Sequence, residues 1–382
     1  MKVFISIFKR PKYHIILNFS PTQQQIALTF LSGIGSRRAR IIIGHFNDLN
    51  EFFSEKKLNL AEIPGIQPDF VSYSQRIAAL EAAQKVTELL DKIGATTVFF
   101  TEKEYPRRLK QCPDAPLLLY AKGQINWNPE KVVSIVGTRH ASAYGKQLTE
   151  ELVEGLKACG ATVVSGMAYG IDVTAHATAL HNALPTIGVL GHGLHTIYPA
   201  VHRKIAQEML ATGGLVSEFA PGLKPEPAYF PMRNRIVAGL ADATIVIESG
   251  IKGGSLITAT MANDYNRDVF AFPGDVNKPF SAGCLRLIQQ HKAHLLTGAT
   301  DLLKAMNWEA PTGKKVVQRN LFVELTTNET QLVEVLKTKP EAAIDTLGYL
   351  TSLSPGAVSA LLLNLEFKGV VKALPGRRYS LI

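Results

Sequence analysis

Cysteine is scarce in this chain of 382 residues: Cys112, Cys159 and Cys284 stand far apart and odd in number. They form no Cys-x-x-Cys pair and no metal-ligand spacing, which excludes a disulfide scaffold or a zinc module and points to a reducing cytoplasm. Long hydrophobic runs are missing as well. The opening stretch MKVFISIFKRPKYHIILNF is interrupted by Lys9, Arg10 and Lys12, its apolar runs are too short to span a membrane, and no small-residue cleavage site follows. Residues 1–20 read as a leader that need not be ordered, and the chain as a non-membrane one. No internal repeat or low-complexity run stands out. An acidic excess is also absent. The formal net charge of +9 favours an anionic partner over a neutral small molecule, although mildly basic enzymes share that balance.

Several enzyme signatures are missing too. A Walker A loop places its lysine after the glycines, whereas Lys252 precedes Gly253 and Gly254. A dinucleotide fingerprint is lacking in VGTRHASAYG and only begun in GHGLHT, with no acidic residue about 20 positions on to hold a ribose. His192 and His195 flank Gly193, which argues for a loop, and His176 and His181 have no carboxylate or cysteine at ligand spacing. No metal and no cofactor are therefore expected. Ser165, Asp172 and His176 suggest a triad, but SGMAYG is no nucleophile elbow. Asp172 reads instead as the cap of a following helix, with a dipole contribution of about 0.3–1 kcal/mol.

What is present divides the chain into segments. Residues 21–91 read as a helical domain, with apolar residues at three-to-four spacing. Within it, LSGIGSRRARII and LAEIPGI place glycine in apolar turns. The first fits a helix-hairpin-helix, in which Gly33 and Gly35 let backbone N–H groups approach a phosphate beside Arg37, Arg38 and Arg40. The same residues also describe a plain helical turn with a solvated basic face. Residues 92–305 alternate strand and helix, with strands at TTVFF, VVSIVG, ATVVSG, TIGVLG, ATIVIE, DVFAF and AHLLT. Continuous apolar strands joined by helices predict an α/β domain, a Rossmann-like parallel sheet covered on both faces. Residues 306–322 read as a linker. Residues 323–382 predict three helices and a short hairpin, a winged helix whose third helix is largely apolar and better suited to protein than to a major groove.

Ligands of such sheets bind beyond the carboxyl ends of the strands. Four glycine-bearing loops follow those ends, in VGTRHASAYG, SGMAYGIDVTAH, GHGLHTIYP and SGIKGGSLIT. They converge on an anion-binding surface interleaved with Arg139, Lys252 and Ser255, although glycines at strand ends also serve as tight turns. The cluster EPAYFPMRNRIVAGLA adds Phe230, Arg233, Asn234 and Arg235. With Pro231 at a helix start, Phe230 and Arg233 lie near the loops while Ile236 and Leu240 enter the core. Guanidinium forks suit phosphate and an aromatic face suits a base, which together fit single-stranded nucleic acid. A structural arginine pair is the alternative.

These stretches, together with SEFAPG, FAFPGD, GCLRLI and the upstream YPRRLKQCPDAPLLLYAKG, resemble the DNA processing protein A family (DprA, also called Smf). The resemblance is dense over residues 100–300. It implies a non-enzymatic, sequence-independent single-stranded DNA-binding protein that protects incoming DNA and loads a RecA-type recombinase during natural transformation. It also implies a homodimer formed through the α/β domain. Carried over by motif, Gly137, Thr138, Arg139, Lys252, Gly253, Gly254 and Ser255 would hold the DNA backbone. Phe230, Arg233, Asn234 and Arg235 would complete the basic pocket, and Ser165 and Gly166 would line it. The chain departs from the pattern at Ala200 and His202, where Arg203 and Lys204 stand nearby as replacement charge. A related enzyme family, the LOG-type nucleoside-monophosphate phosphoribohydrolases, is the alternative, but no glutamate follows Gly253 and Gly254 here. A winged-helix transcription regulator is a third reading.

Overall fold

A computed structural model describes residues 19–46, 48–55, 71–309 and 325–381. The leader up to residue 18, the LAEIPGI turn and most of the expected linker lie outside the described residues. Helices α1 (Pro21–Phe30), α2 (Ser36–His45), α3 (Leu49–Ser54) and α4 (Tyr73–Ile93) belong to an N-terminal unit that divides from the rest at Lys92. Ser20 and Gln23 form a reciprocal capping box at α1, satisfying two amide groups that the helix leaves unpaired. The Gly-x-Gly turn joins α1 to α2 with Gly33 at φ +76°, a backbone state suited to glycine, and Gly35 as the N-cap of α2.

The α/β body contains β1 (Thr96–Phe99), α5 (Arg107–Lys110), β2 (Leu118–Gly123), β3 (Val132–Val136), α6 (Ala143–Leu156), β4 (Thr162–Ser165), α7 (Ile171–His181), β5 (Thr186–Leu190) and α8 (Arg203–Met209). It continues through β6 (Gly214–Ser217), α9 (Tyr229–Leu240), β7 (Ala243–Val246), α10 (Gly254–Asp264), β8 (Asp268–Ala271), α11 (Ala282–Gln289), β9 (His294–Leu295) and α12 (Ala299–Ala305). The strands form one sheet in the order β1-β2-β6-β5-β4-β3-β7-β8-β9. From β6 to β9 the pairing is parallel, as the apolar runs predict. The TTVFF strand differs from that expectation. It pairs antiparallel with β2, which pairs antiparallel with β6, so the hairpin extends one edge of the parallel sheet.

Strand alternation divides the core. On β3, Val132 and Val136 face a layer shared with Ile236 and Val237 of α9 and Ala259 and Ala262 of α10. Val133 and Ile135 face the other layer, with Leu152 of α6 and Ala175 of α7. Met306 and Trp308 are buried in that second layer, so the body runs past residue 305. At the amino-end rim of the strands, Arg108 of α5 grips Asp242 through Nε–Oδ1 at 2.6 Å and Nη2–Oδ2 at 2.8 Å. Asp242 also accepts the Val132 amide at 2.9 Å.

The C-terminal part comprises α13 (Thr327–Thr338), β10 (Ala342–Ala343), α14 (Ile344–Thr351), α15 (Pro355–Phe367), β11 (Val371–Leu374) and β12 (Arg378–Leu381). The expected hairpin is β11–β12, joined by β10 into a three-stranded sheet. Leu332, Leu336, Leu347, Val358, Leu362 and Leu365 form its core. Buried Glu329 caps α13 and takes Lys368 Nζ at 2.7 Å. Among the described residues no single helix is long and apolar enough to cross a membrane.

Candidate nucleic-acid interface

The chain lays down β3, β4, β5 and β6 outward in one direction, then returns to place β7 on the other flank of β3. Connections after β3 and β7 therefore leave in opposite directions, and a crevice opens between their carboxyl ends. A cavity of about 700 Å³ lies there. It is lined by the loops after β3, β4 and β7, by the start of α9, and by Tyr198 and Phe280.

Backbone bonds fix these loops to one another. The Thr138 amide donates to the Glu248 carbonyl at 2.8 Å, and Ile171 donates to the Thr138 carbonyl at 3.3 Å. The Glu248 carboxylate accepts the Ser142 hydroxyl at 2.5 Å and the Ser142 amide at 2.9 Å, which ties the loop after β7 to the start of α6. Gly253 is the N-cap of α10 and Gly254 its first residue. The leading N–H groups of a helix have no intrahelical acceptor and carry the positive end of its dipole, so they suit an anion. A Cβ on Gly254 would have nothing within 4 Å, so this face is open. The Ser255 hydroxyl turns inward to Ser249 Oγ at 2.8 Å.

Two cations reach this mouth. Arg139 and Lys252 are exposed, and among the described residues no carboxylate pairs with either. The Arg139 guanidinium stands over the Phe230 ring at 5.8 Å, and Tyr198 lies 5.9 Å from the same ring. Asn234 links α9 to α10 through Nδ2 and the Gly254 carbonyl at 3.4 Å.

Beneath them the floor is buried and charged. Arg233 is only 4% exposed and donates to the carbonyls of Gly166 and Val189 and to Asn234 Oδ1. Burial pulls its guanidinium down to about 10, Asp172 acting against that and Arg139 with it. Burial raises the Asp172 carboxyl, opposed by Arg233 and by the Ala168 amide. Asp172 thus holds the loop after β4 rather than capping α7, whose N-cap is Gly170. His176 is wholly buried, with Nδ1 on Thr186 Oγ1 at 2.7 Å. Burial and the neighbouring Arg233 push it down to about 3.

All of the expected site residues line the cavity except Ser165 and Arg235. The Ser165 hydroxyl is fully buried and donates to the Ile135 carbonyl at 2.6 Å. Arg235 binds both Glu218 oxygens at 2.5 Å and the Asp114 carbonyl. Arg233 lines the cavity, but its donors end on protein carbonyls, so it is a strut and not an open fork. Arg203 and Lys204 are absent from the lining, and His202 is buried on the Met167 carbonyl at 2.9 Å. His140, Tyr198 and Phe280 line the mouth without having been expected there from sequence. His140 and Tyr198 do stand in two of the glycine-bearing loops.

A doubly wound α/β body has an open cationic crevice at its switch point, a place suited to an anion, and is followed here by a winged helix. Comparison with known proteins narrows the class. The family described as DNA recombination-mediator protein A matches residues 96–307, and the DprA winged helix domain matches residues 323–377. The chain belongs to the DNA processing protein A (DprA/Smf) family. Protein Smf from Synechocystis sp. is 33% identical over 390 residues, covering 93% of this chain and 97% of that protein. DNA processing protein DprA from Bacillus subtilis is 39% identical over 214 residues, 56% of this chain and 72% of that one. The X-ray structure of the Streptococcus pneumoniae protein superposes with a TM-score of 0.61 at 30% identity, covering 74% of this chain and 97% of that chain. A Helicobacter pylori structure, described as giving insight into a unique single-stranded DNA binding mode, has a TM-score of 0.50 at 30% identity and covers 56% and 95%. The family is one of recombination mediators, a DNA-handling role and not a catalytic one.

Proposed function

We infer that this chain binds single-stranded DNA through its backbone in the switch-point crevice, without reading sequence. The observation that carries this is the open helix start at Gly254 flanked by the exposed cations Arg139 and Lys252, with Phe230 beneath Arg139. Phosphates suit the amides and cations, and the ring offers a stacking face worth about 1–3 kcal/mol per base. The relative from Helicobacter pylori supports the choice of strand. The carboxylates near the crevice are engaged, Glu248 by Ser142 and Asp172 by the floor, which disfavours glycosidic cleavage.

The same reading assigns the chain to the cytoplasm as a homodimer that loads a RecA-type recombinase onto incoming DNA during transformation. The family description as a recombination mediator supports that assignment. The test is fluorescence anisotropy with labelled single-stranded and duplex oligonucleotides across a salt series. Neutralising four or five phosphates gives a log–log slope of about −3. Salt-insensitive binding, or equal affinity for duplex, overturns the reading. Recombinase loading is tested by filament assembly on strands coated with this protein, which must be faster than on bare strands.

A further inference from the structure

The crevice holds a second aromatic pair that the phosphate contacts do not use. His140 and Phe280 both line the cavity, with ring centroids 6.3 Å apart and planes 23° from parallel. His140 is exposed on the loop after β3. Phe280 is held on the β7 side, where its carbonyl accepts the Ser249 amide at 2.7 Å, and Ser249 in turn accepts the Gly283 amide at 2.8 Å. The two planes are nearly parallel and both rings face the cavity mouth, an arrangement suited to holding a planar base. The exposed imidazole is free to move aside for a base while the Phe280 backbone is held.

The position of this pair along the sheet gives it meaning. Phe230 packs at Gly191, at the end of β5, whereas Phe280 lies beside Gly250, in the loop after β7. In the sheet β5 and β7 are separated by β4 and β3, three strand spacings or about 14 Å. Arg139 stands between, over Phe230 and adjacent in sequence to His140. A base held between His140 and Phe280 has both faces covered and cannot stack on its neighbours, so a strand that serves both places is unstacked there.

Resting on the single-stranded DNA reading, we propose that His140 and Phe280 form a second base-stacking station, a clamp on the β7 side of the phosphate cradle, with Phe230 and Tyr198 as the first. Two separated stations select single strands, since in a duplex the faces of each base pair are already covered by its stacked neighbours. The clamp acts on base faces and therefore adds affinity without sequence preference.

The test uses the full chain, His140→Ala and Phe280→Leu variants, and a short oligothymidylate carrying one 2-aminopurine, whose fluorescence falls on stacking. His140 is exposed, and leucine keeps apolar volume at 280, so one variant at least retains the fold. Each substitution is expected to weaken binding about five- to thirtyfold, to leave the salt slope unchanged, and to restore part of the 2-aminopurine signal. The preference over duplex narrows in parallel. A 2-aminopurine signal and affinity unchanged in both variants, while Lys252→Ala weakens binding, overturn the clamp and leave the DNA site standing. Failure of the unaltered protein to bind the oligonucleotide overturns both.

Discussion

The Arg139 guanidinium lies over the Phe230 ring at 5.8 Å, joining the loop after β3 to the start of α9 across the mouth of the crevice. One exposed side chain thereby serves two ends. Its charge is available to a phosphate, and its guanidinium shares the mouth with the ring proposed to take a base.

Arg139→Ala and Lys252→Ala should each weaken single-strand binding and lower the salt slope by about 0.7 for each phosphate no longer neutralised. Thermal melting should be unchanged, since neither side chain is buried or ion-paired among the described residues. Anisotropy at several salt concentrations, beside a melting curve, checks both statements.

The other arginines should behave in the opposite way. Arg233→Ala strands the carbonyls of Gly166 and Val189 and leaves Asp172 buried without its nearby cation. The expected loss is about 3–5 kcal/mol of stability. Arg235→Ala releases Glu218, a mostly buried partner only 24% exposed, at about 1–3 kcal/mol. Denaturant titration should find both losses, and folded Arg235→Ala should bind DNA as the unaltered protein does.

Neighbouring glycines separate fold from ligand. A Cβ on Gly137 would stand 2.4 Å from Ile171 Cγ1, so Gly137→Ala should cost about 1–3 kcal/mol. Gly254→Ala meets open space, and in the first turn of a helix alanine should hold or raise the melting temperature. The added methyl group nevertheless occupies the approach to the α10 amides, and affinity should fall. Equal binding by Gly254→Ala and the unaltered protein would place the phosphates elsewhere.

Acid should loosen the floor through His176. Its folded value is about 3 against 6.5 for the free side chain, so between those limits the unfolded chain holds the extra proton. Stability contributed by this group is present above 6.5 and is lost as pH falls, by about 2 kcal/mol at pH 5. His176→Gln should flatten that part of the pH–stability curve, measured by urea unfolding at pH 5 and pH 7.

Most of the seven strands from TTVFF to AHLLT are legible because they carry apolar runs, although AHLLT gives only the exposed pair His294–Leu295. β6 is not, being four residues that begin with glycine, and β2 is hidden in a stretch rich in proline and charge. The direction of TTVFF cannot be read from one strand, since pairing depends on a partner far along the chain. At α9 the sequence does carry a usable signal. Arg233 is in helical phase with Ile236, Val237 and Leu240, which are all buried, and that spacing alone marks it as inward-facing. The helix begins at Tyr229, ahead of Pro231, because proline is tolerated where first-turn amides lack acceptors anyway. The Phe280 ring is invisible to such patterns because its loop is joined to the crevice by tertiary contacts that no local spacing encodes.

Arg108 and Asp242 fasten the rim of the sheet opposite the crevice. That arrangement makes the two rims separately evolvable. Changes at Arg108 should register in stability, and changes at the Arg139 rim in what the crevice binds. A laboratory could therefore harden the molecule from below, by improving the Arg108 anchor, while redesigning what it holds above.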